Sequence, residues 1–325
     1  MESSQPSKPF DDALLEFVCE RFQLGRFIRF DGMLGGSFNV NMKMTTSDGT
    51  FAVRVLNRSA APEHLGHVRQ AIALLRANGI PAACPLTAVG GDPFIRYKEK
   101  LVQVTPFVSA DSFQCREAQV FESARMLRAF HESLVQVPAG PRPSWSFYAD
   151  AAYYTEALER MRSLSGIPAD ERAEAEKLTR RVLDQWGDAA SGLPCTTLHS
   201  DWHFWNQCYA EDRVCLVMDF DFMQHGQRVQ DIAYALWVIN LLLPEHADTF
   251  DRCFLRGYGK LTEEEAAIMP IAAARVSLFF LCHAANASSP AQSWRKHYRK
   301  QLPFIRSMLA EGGQRVVRLA QESQL

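Results

Sequence analysis

The chain has 325 residues, 47 % of them hydrophobic, and a formal net charge of −2. This length predicts roughly two domains, and the hydrophobic fraction is too high for a disordered chain. The near-neutral charge argues against a nucleic-acid-binding protein, because such proteins carry a basic surface for phosphates.

The cysteines and the N-terminus predict a cytoplasmic protein without a membrane partner. None of the eight cysteines is spaced as C-x-x-C, and "MESSQPSKPF" lacks the apolar core of a signal peptide. No run of 18 apolar residues occurs, so the most apolar segments are expected to be buried helices.

The first part of the chain predicts a small β-rich domain over residues 1–104. A helix over about 10–22 precedes alternating strands in "RFIRFDGML", "VNMKMTT" and "TFAVRVLN". The segment "GGSFN" at 35–39 lies between the first two strands. A helix from about 62 is expected to end at Gly79, and two further extended segments follow.

Residues 105–325 predict a larger helical domain. The exception is the stretch from "LHSDWHFWN" to "VMDFDF", which predicts a hairpin turning at "AEDR". Helical patterns resume after it, and "TEEE" at 262–265 is typical of a capping box. The pattern as a whole predicts an α+β protein with a β-rich N-lobe and a helical C-lobe.

The spacing of polar residues around this hairpin indicates phosphoryl transfer. His199, Asp201 and Asn206 fit the template H-x-D-x-x-x-x-N, and "DFD" beginning at Asp219 stands close to D-F-G. The hairpin would return Asp219 to Asn206, where an amide and a carboxylate oxygen suffice for one magnesium ion. Asp201 would then remain as the catalytic carboxylate.

The N-terminal domain carries the parts that a nucleotide needs. The glycines of "GGSFN" would let backbone N–H groups approach phosphates. Arg54, in the middle of the third strand, would add a permanent cation. The nucleotide is expected to be ATP, with GTP as the alternative.

Several motifs together resemble the aminoglycoside phosphotransferase and choline kinase-like group of small-molecule kinases. "LGGSFNVNMKM" resembles its nucleotide loop, "FAVRV" its third strand, "LHSDWHFWN" its H-G-D-x-H-x-x-N segment, and "VMDFDFMQHGQRVQDIAYAL" its metal-binding segment. The resemblance implies a bilobal protein-kinase-like fold and an ATP- and magnesium-dependent transfer to a hydroxyl group. The implied nucleotide contacts are Gly35, Gly36, Ser37, Asn39, Arg54, Gln103, Thr105 and Phe107.

The chain departs from this group around the acceptor. Ser200 replaces the usual Gly, while Trp202, Phe204 and Trp205 are bulkier than the common Leu, Pro and Gly. The shape of the acceptor pocket is therefore the least predictable feature. The candidate acceptor contacts are His203, Asp221 and Trp202.

Two other functions remain open on the sequence. His199, Asp201 and His203 form H-x-D-x-H, which could hold zinc in a metallohydrolase. A catalytically inactive nucleotide-binding module is the other alternative. Among kinase acceptors, aminoglycosides and other antibiotics, amino alcohols, homoserine and sugars fit equally well. Neither the composition nor the motifs choose between a resistance role and a biosynthetic one, or indicate the oligomeric state.

Overall fold

The computed structural model describes residues 12–36, 38–57 and 60–323. Within these ranges an antiparallel sheet and many helices occur in the same chain. The predicted α+β class is therefore confirmed. The chain divides into two compact units, the first comprising Met1–Ala73 and Ala82–Ser109, the second Leu74–Pro81 and Ala110–Leu325.

The first unit is built around a five-stranded sheet. Its elements are α1 (Asp12–Phe22), β1 (Phe27–Gly35), β2 (Val40–Thr46), β3 (Gly49–Val55), most of α2 (Pro62–Ala77), β4 (Ile95–Tyr97) and β5 (Lys100–Pro106). The strands are all antiparallel and lie in the order β1-β2-β3-β5-β4. The strands predicted from alternation are thus confirmed.

One face of this sheet is apolar because successive side chains of a strand point to opposite sides. Phe51, Val53 and Val55 of β3 are buried in one cluster with residues of α1, among them Leu14 and Val18. The intervening residues of β3 are only partly buried, so Arg54 lies on the other face.

Helix α2 ends as its sequence predicts. Gly79 has a φ of +81°, the left-handed conformation that favours glycine. The N–H of Ile80 donates to the carbonyl of Leu75 at 2.9 Å, which satisfies one of the last carbonyls of the helix.

The second unit is mostly helical. Its helices are α3 (Glu117–Leu134), α4 (Ala151–Ser163), α5 (Ala169–Ala190), α6 (Val229–Leu242), α7 (Ala247–Tyr258), α8 (Glu263–His283), α9 (Pro290–Met308) and α10 (Glu311–Glu322). Its strands are β6 (Cys195–Leu198), β7 (Gln207–Ala210), β8 (Arg213–Val217) and β9 (Gln224–Gln227). The predicted capping box is present, since Thr262 and Glu265 bond reciprocally at the start of α8.

Two short antiparallel pairs interrupt the helices. The pair β7–β8 is the predicted hairpin, with Gln207 opposite Val217 and a turn at residues 210–213. The pair β6–β9 was not predicted, because "CTTL" and "QHGQ" are short and distant in sequence and show no clear alternation. Together these strands frame the loop 199–206 and the segment after β8.

Among the described residues one helical segment, Glu263–Asn286, is long and apolar enough to cross a membrane by length and composition alone. Of its most apolar window, 78 % is buried within the protein. A helix buried to this extent is a core helix, which is what the sequence predicted for the apolar segments of the chain.

Candidate active site

The loop 199–206 is anchored by a buried carboxylate at the start of α6. Asp231 is fully buried, and its two oxygens accept hydrogen bonds from the backbone N–H groups of His199 and Ser200, each at 2.8 Å. The imidazole of His131 and the hydroxyl of Tyr148 also contact this carboxylate, at 3.0 and 3.2 Å. The two backbone bonds fix the beginning of the loop to α6, and the two side-chain bonds hold the Asp231 carboxylate in place.

His199 has a structural position, as its place in the loop suggested. Its Nδ1 accepts from the N–H of Asp201 at 3.3 Å, which places the proton on Nε2, and Nε2 donates to the carbonyl of Met218 at 3.1 Å. Both ring nitrogens are thus engaged with backbone. The imidazole links the loop 199–206 to the segment that follows β8.

The hydrogen bonds of His199 argue against a zinc metallohydrolase site. His199 has no ring nitrogen left for a metal ion, and in the part of the chain that the structure describes no group of three or more His, Cys, Asp or Glu side chains is arranged to hold one. The H-x-D-x-H spacing therefore does not produce the ligand set that a zinc hydrolase requires.

The carboxylate of Asp201 is held by two side chains. The Nδ2 of Asn206 donates both to the carbonyl of Asp201, at 2.9 Å, and to its Oδ2, at 3.0 Å. The hydroxyl of Tyr234, on α6, lies beside the same carboxylate and lowers its pKa. Tyr234 was not predicted from the sequence. It stands three residues after Asp231 on the same helix, so it lies on the helix face that contacts the loop.

Burial raises the pKa of the Asp201 carboxyl above its ordinary value. The nearby Asp219 carboxylate raises this pKa further, whereas His203 and the Tyr234 hydroxyl act in the opposite direction. Two carboxylates thus lie close enough to repel each other. A divalent cation between or beside them would relieve that repulsion.

The hairpin returns the segment that precedes Asp219 to Asn206. The N–H of Met218 donates to the carbonyl of Asn206 at 2.9 Å, so Asp219 follows directly after a backbone contact with Asn206. Both bonds of the Asn206 side chain use its nitrogen, and neither uses Oδ1. An amide oxygen and a carboxylate are ligands that magnesium accepts, so this pair fits such an ion.

Two non-glycine residues of the site have left-handed backbone conformations. Ser200 has a φ of +69° and Asp219 a φ of +68°. Such conformations are uncommon outside glycine and persist where surrounding contacts impose them. The positive φ of Ser200 is the conformation that favours glycine, which agrees with the Gly expected at this position from the resemblance.

The three candidate acceptor contacts occupy different environments. His203 lies next to Asp201, with Nε2 3.8 Å from Oδ1 of that residue, and burial lowers the pKa of His203. Asp221 is half-buried, two residues after Asp219. Trp202 is only 1 % exposed and its indole N–H donates to Ser123 Oγ at 3.1 Å, a position that favours packing over contact with an acceptor.

In the first unit, the turn between β1 and β2 needs its glycines. Gly35 and Gly36 have φ values of +81° and +104°, and a Cβ on Gly36 would lie 2.5 Å from Nδ2 of Asn41. Ser37 lies outside the described residues. Asn39 is buried, and its Oδ1 accepts from the N–H of Asn57 at 2.9 Å, so it connects this turn to the end of β3.

The remaining predicted nucleotide residues lie on neighbouring strands. Arg54 stands opposite Asn41 in β2 and Gln103 in β5, and its Nε donates to Asn41 Oδ1 at 3.3 Å. Thr105 pairs with Ala52 in the same register. Strand pairing therefore places Asn41, Arg54, Gln103 and Thr105 together on the face of the sheet opposite the apolar core, here called the polar face.

Lys43 is a residue of this face that the sequence analysis missed. Its Nζ lies 4.0 Å from the ring centroid of Phe107, a cation–π arrangement. The signal was available, because Lys43 stands two residues after Asn41 in β2 and therefore points to the same side as Asn41 and Arg54.

The sequence model of the phosphotransferase enzyme family, abbreviated APH, matches residues 33–270. A homoserine kinase of Granulibacter bethesdensis is 27 % identical over 83 % of this chain and 84 % of its own. A homoserine kinase of Caulobacter sp. (strain K31) is 26 % identical over 86 % of this chain and 88 % of its own.

Solved structures share the fold. A microcompartment-associated aminopropanol kinase superposes with a TM-score of 0.73 at 16 % identity, covering 95 % of this chain and 100 % of its own. The amicoumacin kinase hAmiN, in complex with AMP-PNP, Ca²⁺ and Ami, gives a TM-score of 0.67 at 16 % identity, covering 90 % and 92 %.

The fold and the matches define a small-molecule kinase, an enzyme that transfers a phosphoryl group to a hydroxyl of a small acceptor. Because the family match extends over more than half of the residues, this chain belongs to the phosphotransferase enzyme family. An adenine nucleotide and a divalent cation are the cofactors in keeping with this class, since solved relatives hold AMP-PNP with Ca²⁺ or ADP.

Proposed function

We propose that this protein uses magnesium and ATP to phosphorylate the hydroxyl group of a small amino alcohol, with homoserine as the first acceptor to test. The observation that carries the proposal is the joint placement of Asp201, Asn206 and Asp219. The Asn206 amide donates to the Asp201 carboxylate, and Met218, the residue before Asp219, bonds the backbone of Asn206.

In this proposal Asp201 is the catalytic residue. Its carboxylate orients the acceptor hydroxyl and takes the proton from that oxygen as the bond to phosphorus forms. The Asn206 amide and the Tyr234 hydroxyl keep the carboxylate in one orientation. Positioning of this kind supplies much of the catalysis in phosphoryl transfer.

Asn206 and Asp219 would hold the magnesium ion, whose chemistry is to neutralise the charge on the transferring phosphates. The first unit would bind the nucleotide. The turn with Gly35, Gly36, Ser37 and Asn39 would present backbone N–H groups to phosphates, and Arg54 would add a cation. The adenine would meet the backbone around Gln103, Thr105 and Phe107.

The choice of acceptor rests on the relatives. Six curated relatives, 24–27 % identical to this chain, are named homoserine kinase, and a solved structure with the same fold is an aminopropanol kinase. Both acceptors are short alcohols that carry an amino group. His203 and Asp221, near the Asp201 and Asp219 carboxylates, would contact such an acceptor.

The test is a screen for ADP release with magnesium and ATP, and in parallel with GTP, over homoserine, aminopropanol, choline, sugars and aminoglycosides. We expect acceptor-dependent turnover in the wild type and a loss of about a hundredfold or more in Asp201→Asn, with nucleotide affinity retained. Asp212→Asn, on the exposed turn of the same hairpin, is the matched control and should behave as wild type.

Two results would contradict the proposal. One is wild-type turnover that depends on none of the acceptors. The other is activity of Asp201→Asn above about one per cent of wild type, which would remove the carboxylate from the chemical step.

A further inference from the structure

We infer that Trp205 is a specificity-determining residue that contacts the carbon skeleton of the acceptor. This inference rests on the proposed kinase function and goes beyond it, since it names the surface against which the acceptor packs. Trp205 lies in the loop between Asp201 and Asn206, in a single 3₁₀ turn over Phe204–Asn206.

Its exposure differs from that of its neighbours. Phe204 is fully buried and Asn206 nearly so, whereas Trp205 is 42 % exposed. A tryptophan offers the largest flat apolar surface of any side chain.

The exposed indole is held in place. Its ring packs edge-on against Phe113, with centroids 5.7 Å apart and an interplanar angle of 87°. Phe113 is itself buried and stacked on Phe204 at 4.6 Å. Trp205 therefore presents a fixed face, which binds a ligand at a lower entropy cost than a mobile side chain would.

His203 joins this face to the reacting carboxylate. Its ring lies 5.9 Å from the Trp205 ring, and its Nε2 lies 3.8 Å from Oδ1 of Asp201. Its Nδ1 is buried and has no hydrogen-bond partner among the described residues. Buried polar atoms are normally bonded, so this nitrogen marks a place for a polar group of a ligand.

The carboxylate, imidazole and indole thus form a row that matches three parts of one acceptor. The Asp201 carboxylate hydrogen-bonds the acceptor hydroxyl, and His203 hydrogen-bonds a polar substituent. The Trp205 ring packs against the carbon atoms between or beyond these two groups. Acceptors with apolar surface next to the hydroxyl are favoured over fully hydroxylated ones such as sugars.

The experiment compares Trp205→Ala with Phe121→Ala, a control that removes an aromatic residue of nearly equal exposure, 41 %, from α3. Steady-state constants are measured with homoserine, aminopropanol and any acceptor that the screen returns. We expect Trp205→Ala to raise the KM of the acceptor about tenfold with the KM of ATP within about twofold. Trp205→Phe should restore most of the loss, and Phe121→Ala should leave both constants unchanged.

An unchanged acceptor KM in Trp205→Ala, or an equal rise in the KM of ATP, would overturn the inference while leaving the kinase function intact. A rise of the same size in Phe121→Ala would also overturn it, since it would indicate a general loss of stability. Absence of acceptor-dependent turnover in the wild type would overturn the proposed function and this inference together.

Discussion

Two side chains determine how the carboxylate of Asp201 is oriented. The Asn206 amide donates to one of its oxygens at 3.0 Å, the Tyr234 hydroxyl lies beside the same carboxylate and lowers its pKa, and both contacts lie in a buried setting. The first contact follows from the H-x-D-x-x-x-x-N spacing, since that spacing places the two residues on one loop. The second joins residues 33 positions apart, and only the packing of α6 against the loop creates it.

Tyr234→Phe tests this second contact. The variant keeps the ring contacts with Phe147 and Trp237, at 5.2 and 5.6 Å, and removes only the hydroxyl. We expect kcat to fall about tenfold because the carboxylate loses one of the two contacts that orient it, while the KM of ATP stays within about twofold.

The matched control for that variant is Tyr154→Phe, a buried tyrosine whose hydroxyl bonds the carbonyl of Arg275. It should keep the wild-type kcat. In an Asp201→Asn background, Tyr234→Phe should cause no further loss, because the two residues act as one unit. Additive losses in the double variant would indicate that Tyr234 acts only through stability.

At the scale of elements, strands and helices with strong local patterns were predictable. The alternation in "TFAVRV" placed Arg54 opposite the core face of β3, and Gly79 marked the end of α2. The pair β6–β9 was not predictable from the sequence. It joins two segments whose own sequences carry no pairing signal, so tertiary packing determines the pairing.

Asp251 connects three helices of the second unit. It is fully buried on α7, where its carboxylate contacts Asn240 of α6 and Arg315 of α10. Burial raises the pKa of Asp251 to about 7, and Arg315 offsets only part of that effect. The folded protein therefore retains this proton at pH values where the unfolded chain has already released it.

This shift predicts a pH dependence of stability. Between the unfolded pKa of about 4 and the folded pKa, the unfolded state binds fewer protons, so the free energy of unfolding falls as the pH rises and then levels off. From pH 5 to pH 8 the wild type should lose about 3 kcal/mol relative to Asp251→Asn, which cannot titrate.

Denaturant unfolding of both proteins at several pH values measures this difference. Asp248→Asn, at an exposed position near the same Arg315, is the control and should retain the wild-type slope. Parallel pH profiles for the wild type and Asp251→Asn would show that the Asp251 carboxyl is ionised in the folded protein.

At the scale of the whole molecule, the order of motifs predicted the α+β class and the family. The glycine turn, the basic strand residue, the H-x-D-x-x-x-x-N segment and the DFD segment follow each other along the chain, and the family match extends over all of them. The acceptor surface could not be predicted in the same way. The exposure of Trp205, which we propose as part of that surface, depends on packing by a residue distant in sequence, Phe113.

The central claim is that Asn206 and Asp219 bind the divalent cation, while the Asp201 carboxylate orients the acceptor hydroxyl and accepts its proton. Calorimetric titration of AMP-PNP, with magnesium and with EDTA, tests it most directly in the wild type, Asp219→Asn and Asp201→Asn. Asparagine suits position 219 because it tolerates the left-handed φ of +68° found there.

We predict that Asp219→Asn loses about tenfold or more of its magnesium-dependent affinity, and that Asp201→Asn stays within about threefold of wild type. Equal magnesium-dependent affinities in the wild type and Asp219→Asn would contradict the claim.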